Sequence, residues 1–319
     1  MGALLSVEDL SVDFLIDGTP VPALDRISFS IGRGERMGLV GESGSGKSVT
    51  ARAILGLIQP PGQITHGAVI FDGVDLRRAR DHALNDIRGK RIALIPQDAS
   101  LALNPVLRVG DQMDEILAYH FRLPAGERRR KCVEALRRMG LADPERVMNA
   151  YGSQLSGGMK QRVGIAMALV CDPEILIADD PTSAVDVTIQ AQILYEFRAL
   201  TDRLGLAVLF ISHDLRVVST LCSRIVVLYA GQVAEVGSVD DLLGHPRHPY
   251  TLALLKCSPN VALRVNPLPM VPGASPDSLR ALPGCRFEPR CPRALARCAV
   301  EAPTLRGNGQ LAACWNPLP

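Results

Sequence analysis

GESGSGKS, Gly41 to Ser48, decides how the rest of the chain is read. The residues before it, Arg36 to Val40, form a short apolar run of strand type, and Lys47 to Leu57 after it has helical spacing. A glycine turn from strand to helix in the pattern G-x-x-x-x-G-K-[ST] is a phosphate cradle. The glycines let main-chain N–H groups turn inward as an anion nest, and the helix start adds the positive end of its dipole. Lys47 is placed to reach the β and γ phosphates and Ser48 to hold Mg²⁺. The candidate nucleotide contacts are therefore Gly41, Glu42, Ser43, Gly44, Ser45, Gly46, Lys47, Ser48 and Val49.

A cradle of this kind requires a carboxylate at the end of a neighbouring buried strand. ILIADDPTSAVD, Ile175 to Asp186, supplies one: an apolar run enters two adjacent aspartates and then a proline turn. Two like charges side by side at a strand end are costly unless a cation or a reacting group uses them. Asp179 is the Mg²⁺ candidate, and Asp180 follows it, placed to face the γ-phosphate and a water. A second constellation is YGSQLSGGMKQR, Tyr151 to Arg162. Ser156, Gly157 and Gly158 put a hydroxyl and two unobstructed amides at a helix start, a second anion site.

Strand-like segments (GAVIFDG, RIALIPQ, ILIAD, AVLFISH, RIVVLYAGQVAEVG) alternate with helical ones such as TIQAQILYEFRALTDRLG. That order predicts an α/β fold, a P-loop NTPase core with a mostly parallel sheet. Between Pro105 and about Val170 only helical signals remain, which predicts an inserted α-helical subdomain over about residues 105–170. The expected division is residues 1–243 for the nucleotide-binding domain and 244–319 for an extension. Thirteen of the 23 prolines lie from His245 onward, so long helices and central strands are not expected there.

The totals bound the function. The net charge of +2 gives no electrostatic case for nucleic acid. No apolar run approaches the roughly 20 residues that cross a bilayer. The N-terminal MGALLSVEDLSVDF lacks a basic and then a long apolar stretch, so no secretory leader is expected. ERRRK, Glu127 to Lys131, could serve an anionic partner or be one solvated face of a helix.

On GESGSGKS, LSGG and the paired aspartates, the chain resembles the nucleotide-binding subunit of ATP-binding-cassette (ABC) transporters over roughly residues 4–243. The resemblance implies ATP as ligand and two ATPase subunits meeting head to tail, each ATP lying between the P-loop of one and the LSGG of the other. It also assigns roles. Gln97 would sense the γ-phosphate, water and Mg²⁺; Asp186 would lie in the loop crossing between subunits; His213 would bond the γ-phosphate. Phe14 is the candidate for stacking on adenine, with core packing as the rival reading. An antiparallel β edge completes the implied fold. In this family the residue after the Mg²⁺ aspartate is usually glutamate, whereas here it is Asp180, shorter by roughly 1.5 Å. A slow site in this chain, paired with a faster one in a different partner subunit, is the expectation from that departure.

HPRHPYTLALLKCSP, His245 to Pro259, resembles the segment after the ATPase core in oligopeptide, dipeptide and nickel permeases. The implied partners are a second ATPase subunit, two transmembrane permease subunits and an extracytoplasmic solute-binding protein. The implied place is the cytoplasmic face of the inner membrane. Nickel or metallophore import, a regulatory subunit with a degenerate site, and a soluble ABC ATPase remain as alternatives. Four cysteines, Cys285, Cys291, Cys298 and Cys314, crowd the extension with gaps of five, six and fifteen residues. They are read as ligands of a [4Fe–4S] cluster, which the resemblance also implies, with Zn²⁺ or free thiols as alternatives.

Overall fold

The computed structural model describes residues 2–97, 103–181, 187–257, 271, 273, 275, 280 and 282–319. By internal contacts the chain divides into two units. The first comprises Met1–Gly32, Arg36–Arg78 and Phe210–Pro319; the second comprises Arg33–Glu35 and Ala79–Leu209.

In the first unit, β1 (Leu5–Ile16) and β2 (Thr19–Ile31) form an antiparallel hairpin. Its turn is Asp17–Gly18, both at positive φ (50° and 76°), the geometry whose twist matches the flanking strands. β1 also pairs with β4 (Gly62–Phe71), and β5 (Val74–Asp75) adds to β4. A second set of strands runs β11 (Leu311–Ala312), β10 (Gln232–Ser238), β9 (Arg224–Tyr229), β3 (Arg36–Val40). β3 and β9 are parallel, and the other two pairings are antiparallel. The run RIVVLYAGQVAEVG is therefore a hairpin of two strands, turned at Ala230 and Gly231, which both hold positive φ (47° and 84°). Helix α1 (Lys47–Ile54) follows the glycine loop, and α8 (Leu215–Leu221) packs on β3.

The second unit holds the parallel pair β6 (Ile92–Ile95) and β7 (Ile175–Asp179), in register from Ile92 opposite Ile175 to Ile95 opposite Ala178. Every residue of β7 is buried, which explains its unbroken apolar run. Glu174, just before β7, is gripped by Arg91 and by Arg33 at 2.8 Å. The Arg91 bond, then that of Arg33, holds its carboxyl below the usual range. α2 (Asp81–Ile87) lies before β6. Then come α3 (Val109–His120), α4 (Ala125–Arg138), α5 (Pro144–Asn149) and α6 (Gly157–Leu169), packed on one another, and α7 (Val187–Leu204) after β7. The ERRRK run lies on α4, and three of its charges pair locally: Arg128 with Asp114 at 2.7 Å, Arg129 with Glu145, and Lys131 with Asp172 at 2.9 Å. The division between units falls inside β8 (Ala207–Ser212).

Residues 244–319 belong to the first unit and pack on β9 and β10. After α9 (Val239–Gly244), helix α10 (Pro249–Cys257) is anchored through Glu235 of β10, which is fully buried. The Glu235 carboxylate accepts the main-chain N–H groups of Arg247 (2.7 Å) and His248 (2.9 Å) and the Gln310 amide (2.8 Å). Tyr229, Tyr250 and Phe287 meet edge to face or tilted, with centroids 4.5 to 5.4 Å apart. Farther on, α11 (Ala296–Val300) carries Arg297, stacked 3.5 Å from the Trp315 ring, whose Nε1 donates to the Glu301 carbonyl.

His248 is buried in this packing. Burial pushes its pKa down to about 4, a hydrogen bond with the Ala313 backbone opposing the shift. Its Nδ1 accepts from the Tyr250 N–H at 3.0 Å, so the neutral ring is the form that fits. Unfolded chain takes up a proton below about pH 6.5 while the folded ring stays neutral down to about 4, so stability falls with acidification through that window. Denaturant titrations of the wild type and of His248→Asn at pH 7 and pH 5 should therefore differ. The wild type is expected to lose about 2 kcal/mol more between the two pH values than the variant loses.

Candidate nucleotide site

The glycine loop leaves the C-terminal end of β3 and closes on itself. Lys47 Nζ donates to the carbonyls of Gly41 (2.7 Å) and Glu42 (2.8 Å) and lies 3.4 Å from Ser45 Oγ. The Ser45 N–H donates back to the Glu42 carbonyl at 3.1 Å. Two glycines are required by space. A Cβ on Gly41 would lie 2.3 Å from the Leu228 carbonyl oxygen and 2.6 Å from Ser45 Oγ. Gly46 caps α1 at φ 106°, and a Cβ there would lie 2.6 Å from Leu24 and 3.0 Å from the Ala23 carbonyl oxygen. Phe14 stands on β1, half-buried and paired with Val21 and Gly62, its ring against Gly62. His213 follows β8 and is exposed.

In the second unit, Gln97 and the paired aspartates leave the same end of adjacent parallel strands, where α/β sheets place their ligands. Gln97 is exposed, while Asp179 and Asp180 are each 8% exposed. Asp180 holds φ 45°, a left-handed conformation that costs an L residue about 1 kcal/mol and gathers at functional sites. Ser156 caps α6, accepting the Met159 N–H at 3.3 Å. Ser156 and Gly157 are exposed, and a Cβ on Gly157 would meet nothing within 4 Å. The helix start is thus presented bare to solvent. Asp186 lies outside the described residues.

Two features escaped the sequence. Gln161 of α6 is 2% exposed, and its amide donates to the Pro181 carbonyl, tying the helix that begins with LSGG to the turn after Asp180. Glu42 is bound through its side chain to Arg290 and through its N–H to Tyr250, both in the extension. Neither tie follows a spacing rule, because each partner lies far along the chain from the residue it holds.

Two family descriptions match the chain: "ABC transporter" over residues 24–183 and "Oligopeptide/dipeptide transporter, C-terminal region" over residues 234–298. It is 46% identical, over 98% of its length and 94% of the relative's, to a probable peptide ABC transporter ATP-binding protein, y4tR, of Sinorhizobium fredii. It is 43% identical to the dipeptide transport ATP-binding protein DppD of Escherichia coli, over 99% of this chain and 97% of that one. The chain belongs to the ABC transporter ATPase family. Among solved structures, the ATP-binding cassette MJ0796, a dimer in a post-hydrolysis state bound to ADP and Pi, matches with TM-score 0.66 and 30% identity. That match covers 74% of this chain and 98% of MJ0796. The cassette cbiO1 of Clostridium perfringens matches with TM-score 0.65 and 28% identity, over 77% of this chain and 92% of that one. The α/β P-loop fold and ATP hydrolysis follow from membership. Among the described residues of this ABC ATPase, no helix is long and apolar enough to cross a membrane.

The [4Fe–4S] reading of the cysteines is corrected. Burial raises the pKa of the Cys285, Cys291 and Cys314 thiols, Cys285 to about 11, and the neighbouring cysteines add a smaller push in the same direction. The Cys298 sulfur accepts the Leu295 N–H at 3.5 Å. Among the described residues, no group of three or more His, Cys, Asp or Glu could hold a metal ion. The relatives' names describe peptide transport ATP-binding proteins and mention no cluster. The extension is held instead by Glu235, by the aromatic group around Phe287 and by Trp315.

The tight space at Gly46 sets an expectation. Gly46→Ala should lower stability by about 1 kcal/mol or more in thermal or denaturant melts, since both its φ and its neighbours oppose a Cβ.

Proposed function

We propose that this ABC ATPase powers an importer of dipeptides or oligopeptides, working as a dimer with a second and different ATPase subunit, on two membrane permeases fed by a solute-binding protein. The observation that carries the solute class is the match of residues 234–298 to the oligopeptide/dipeptide C-terminal region. The relatives' names point the same way. Residues 1–243 are the ATP-binding part and 244–319 the appended extension.

Lys47 and the amides of Gly41 to Val49 bind the triphosphate, and Phe14 packs on the adenine. The Mg²⁺ candidates are Ser48, Gln97 and Asp179, all oxygen donors, which is the chemistry a hard cation requires. When bound, Mg²⁺ neutralises charge on the phosphates. Asp180 orients and deprotonates the attacking water, while His213 and Gln97 bond the γ-phosphate. Ser156, Gly157 and Gly158 cover the γ-phosphate held by the partner, and Asp186 reaches across the dimer. Docking on the permeases is supported by a groove of about 1120 Å³ in the second unit, lined by Leu103, Pro105, Leu107, Ile116 and Tyr119. Beside it, Val106 is 76% exposed. An apolar patch of this kind marks a partner surface.

Reconstituted with its permeases and binding protein in liposomes, the transporter should take up a dipeptide in step with ATP turnover, and Lys47→Ala should abolish both. Uptake of nickel without uptake of peptide would overturn the solute class. In the same assay Asp180→Glu should raise turnover, on the order of tenfold or more, if the short side chain slows this site. An unchanged rate would count against a defect at that position.

A further inference from the structure

Glu42, the second residue of the phosphate loop, is held from three sides. Its carbonyl accepts from Lys47 Nζ and from the Ser45 N–H, as described above. Its carboxylate is gripped by Arg290, whose Nη1 donates to Oε2 at 2.8 Å and Nη2 to Oε1 at 3.0 Å. Its own N–H donates to the Tyr250 hydroxyl at 2.8 Å. The last two holds come from the extension, some 200 residues or more along the chain.

Neither partner is loose. Arg290 is 8% exposed and also donates to the Tyr229 hydroxyl at 3.1 Å and the Val271 carbonyl at 2.8 Å. Tyr250 is fully buried among Tyr229, His248 and Phe287. A parallel link reaches Ser45, whose carbonyl accepts the Gly231 N–H at 2.9 Å, and Arg286 of the extension donates to the Ala230 carbonyl beside it at 2.6 Å.

A bidentate carboxylate–guanidinium pair fixes direction as well as distance. A phosphate loop whose amides are already aimed binds at lower cost than one that must be ordered by its ligand. Simple adhesion of the extension would need only surface contacts. The bonds observed end on Glu42, whose carbonyl is one of the two that hold the lysine.

We propose that Arg290 and Tyr250 are positioning residues for ATP: acting through Glu42, they hold Lys47 and the loop amides in register, so the extension sets nucleotide affinity. The proposal rests on the reading of Gly41–Ser48 as the ATP phosphate site.

The test uses the full-length chain, with Mg-ATP dissociation constants from calorimetry and melting temperatures measured in parallel. Arg290→Met, Glu42→Gln and Tyr250→Phe are each expected to weaken Mg-ATP by about tenfold. Arg290→Met combined with Glu42→Gln should be no weaker than the worse single change, and Arg290→Lys should recover part of the loss. Glu42→Gln and Tyr250→Phe alter few atoms and keep the test open if Arg290→Met fails to fold. Variants that melt lower yet bind Mg-ATP like the wild type would overturn the positioning role and leave the phosphate site standing. A wild-type chain that does not bind Mg-ATP would overturn both.

Discussion

Between β3 and α1 the chain turns through a space that admits no Cβ at Gly41 or Gly46, and the rest of the first unit is arranged around that restriction. The walls are the carbonyls of Leu228 and Ala23 and the side chain of Leu24, so β9 and β2 both shape the loop. The Gly231 turn adds a hydrogen bond to Ser45, and the extension adds its grip on Glu42. An anion nest works only if its amides converge, and convergence is an entropically costly shape for a flexible loop. Here the cost is met by contacts from distant parts of the chain.

The second unit solves a different problem. Two carboxylates end a fully buried strand, and the turn behind them is braced by the Gln161 amide on the Pro181 carbonyl. Gln161 lies in the first turns of the helix capped by Ser156. Asp180 follows the buried strand at positive φ and is one methylene shorter than a glutamate.

The parts of the chain governed by local rules were legible in the sequence. GESGSGKS names its own geometry, the unbroken ILIAD run reads as a buried parallel strand, and TIQAQILYEFRALTDRLG reads as the helix α7. The hairpin inside RIVVLYAGQVAEVG was hidden because its turn residue is Ala230, a poor signal for positive φ. The four cysteines misled because spacing along the chain does not say whether the fold gathers them into a metal-holding group, and among the described residues it forms none. Prolines discouraged any expectation of buried structure in the extension, yet Tyr250 and Phe287 are buried against Tyr229 of β9, and Glu235 of β10 anchors the start of α10. Arg290 and Tyr250 looked like ordinary residues because their meaning lies in a partner more than 200 positions away.

The central claim is that Mg-ATP seats on this chain's own glycine loop, and hydrogen–deuterium exchange tests it most directly. On adding Mg²⁺ with a non-hydrolysable ATP analogue, peptides spanning Gly41 to Ile54 should slow their exchange markedly, because their amides become donors to phosphate. Unchanged exchange across that stretch under saturating nucleotide would contradict the account.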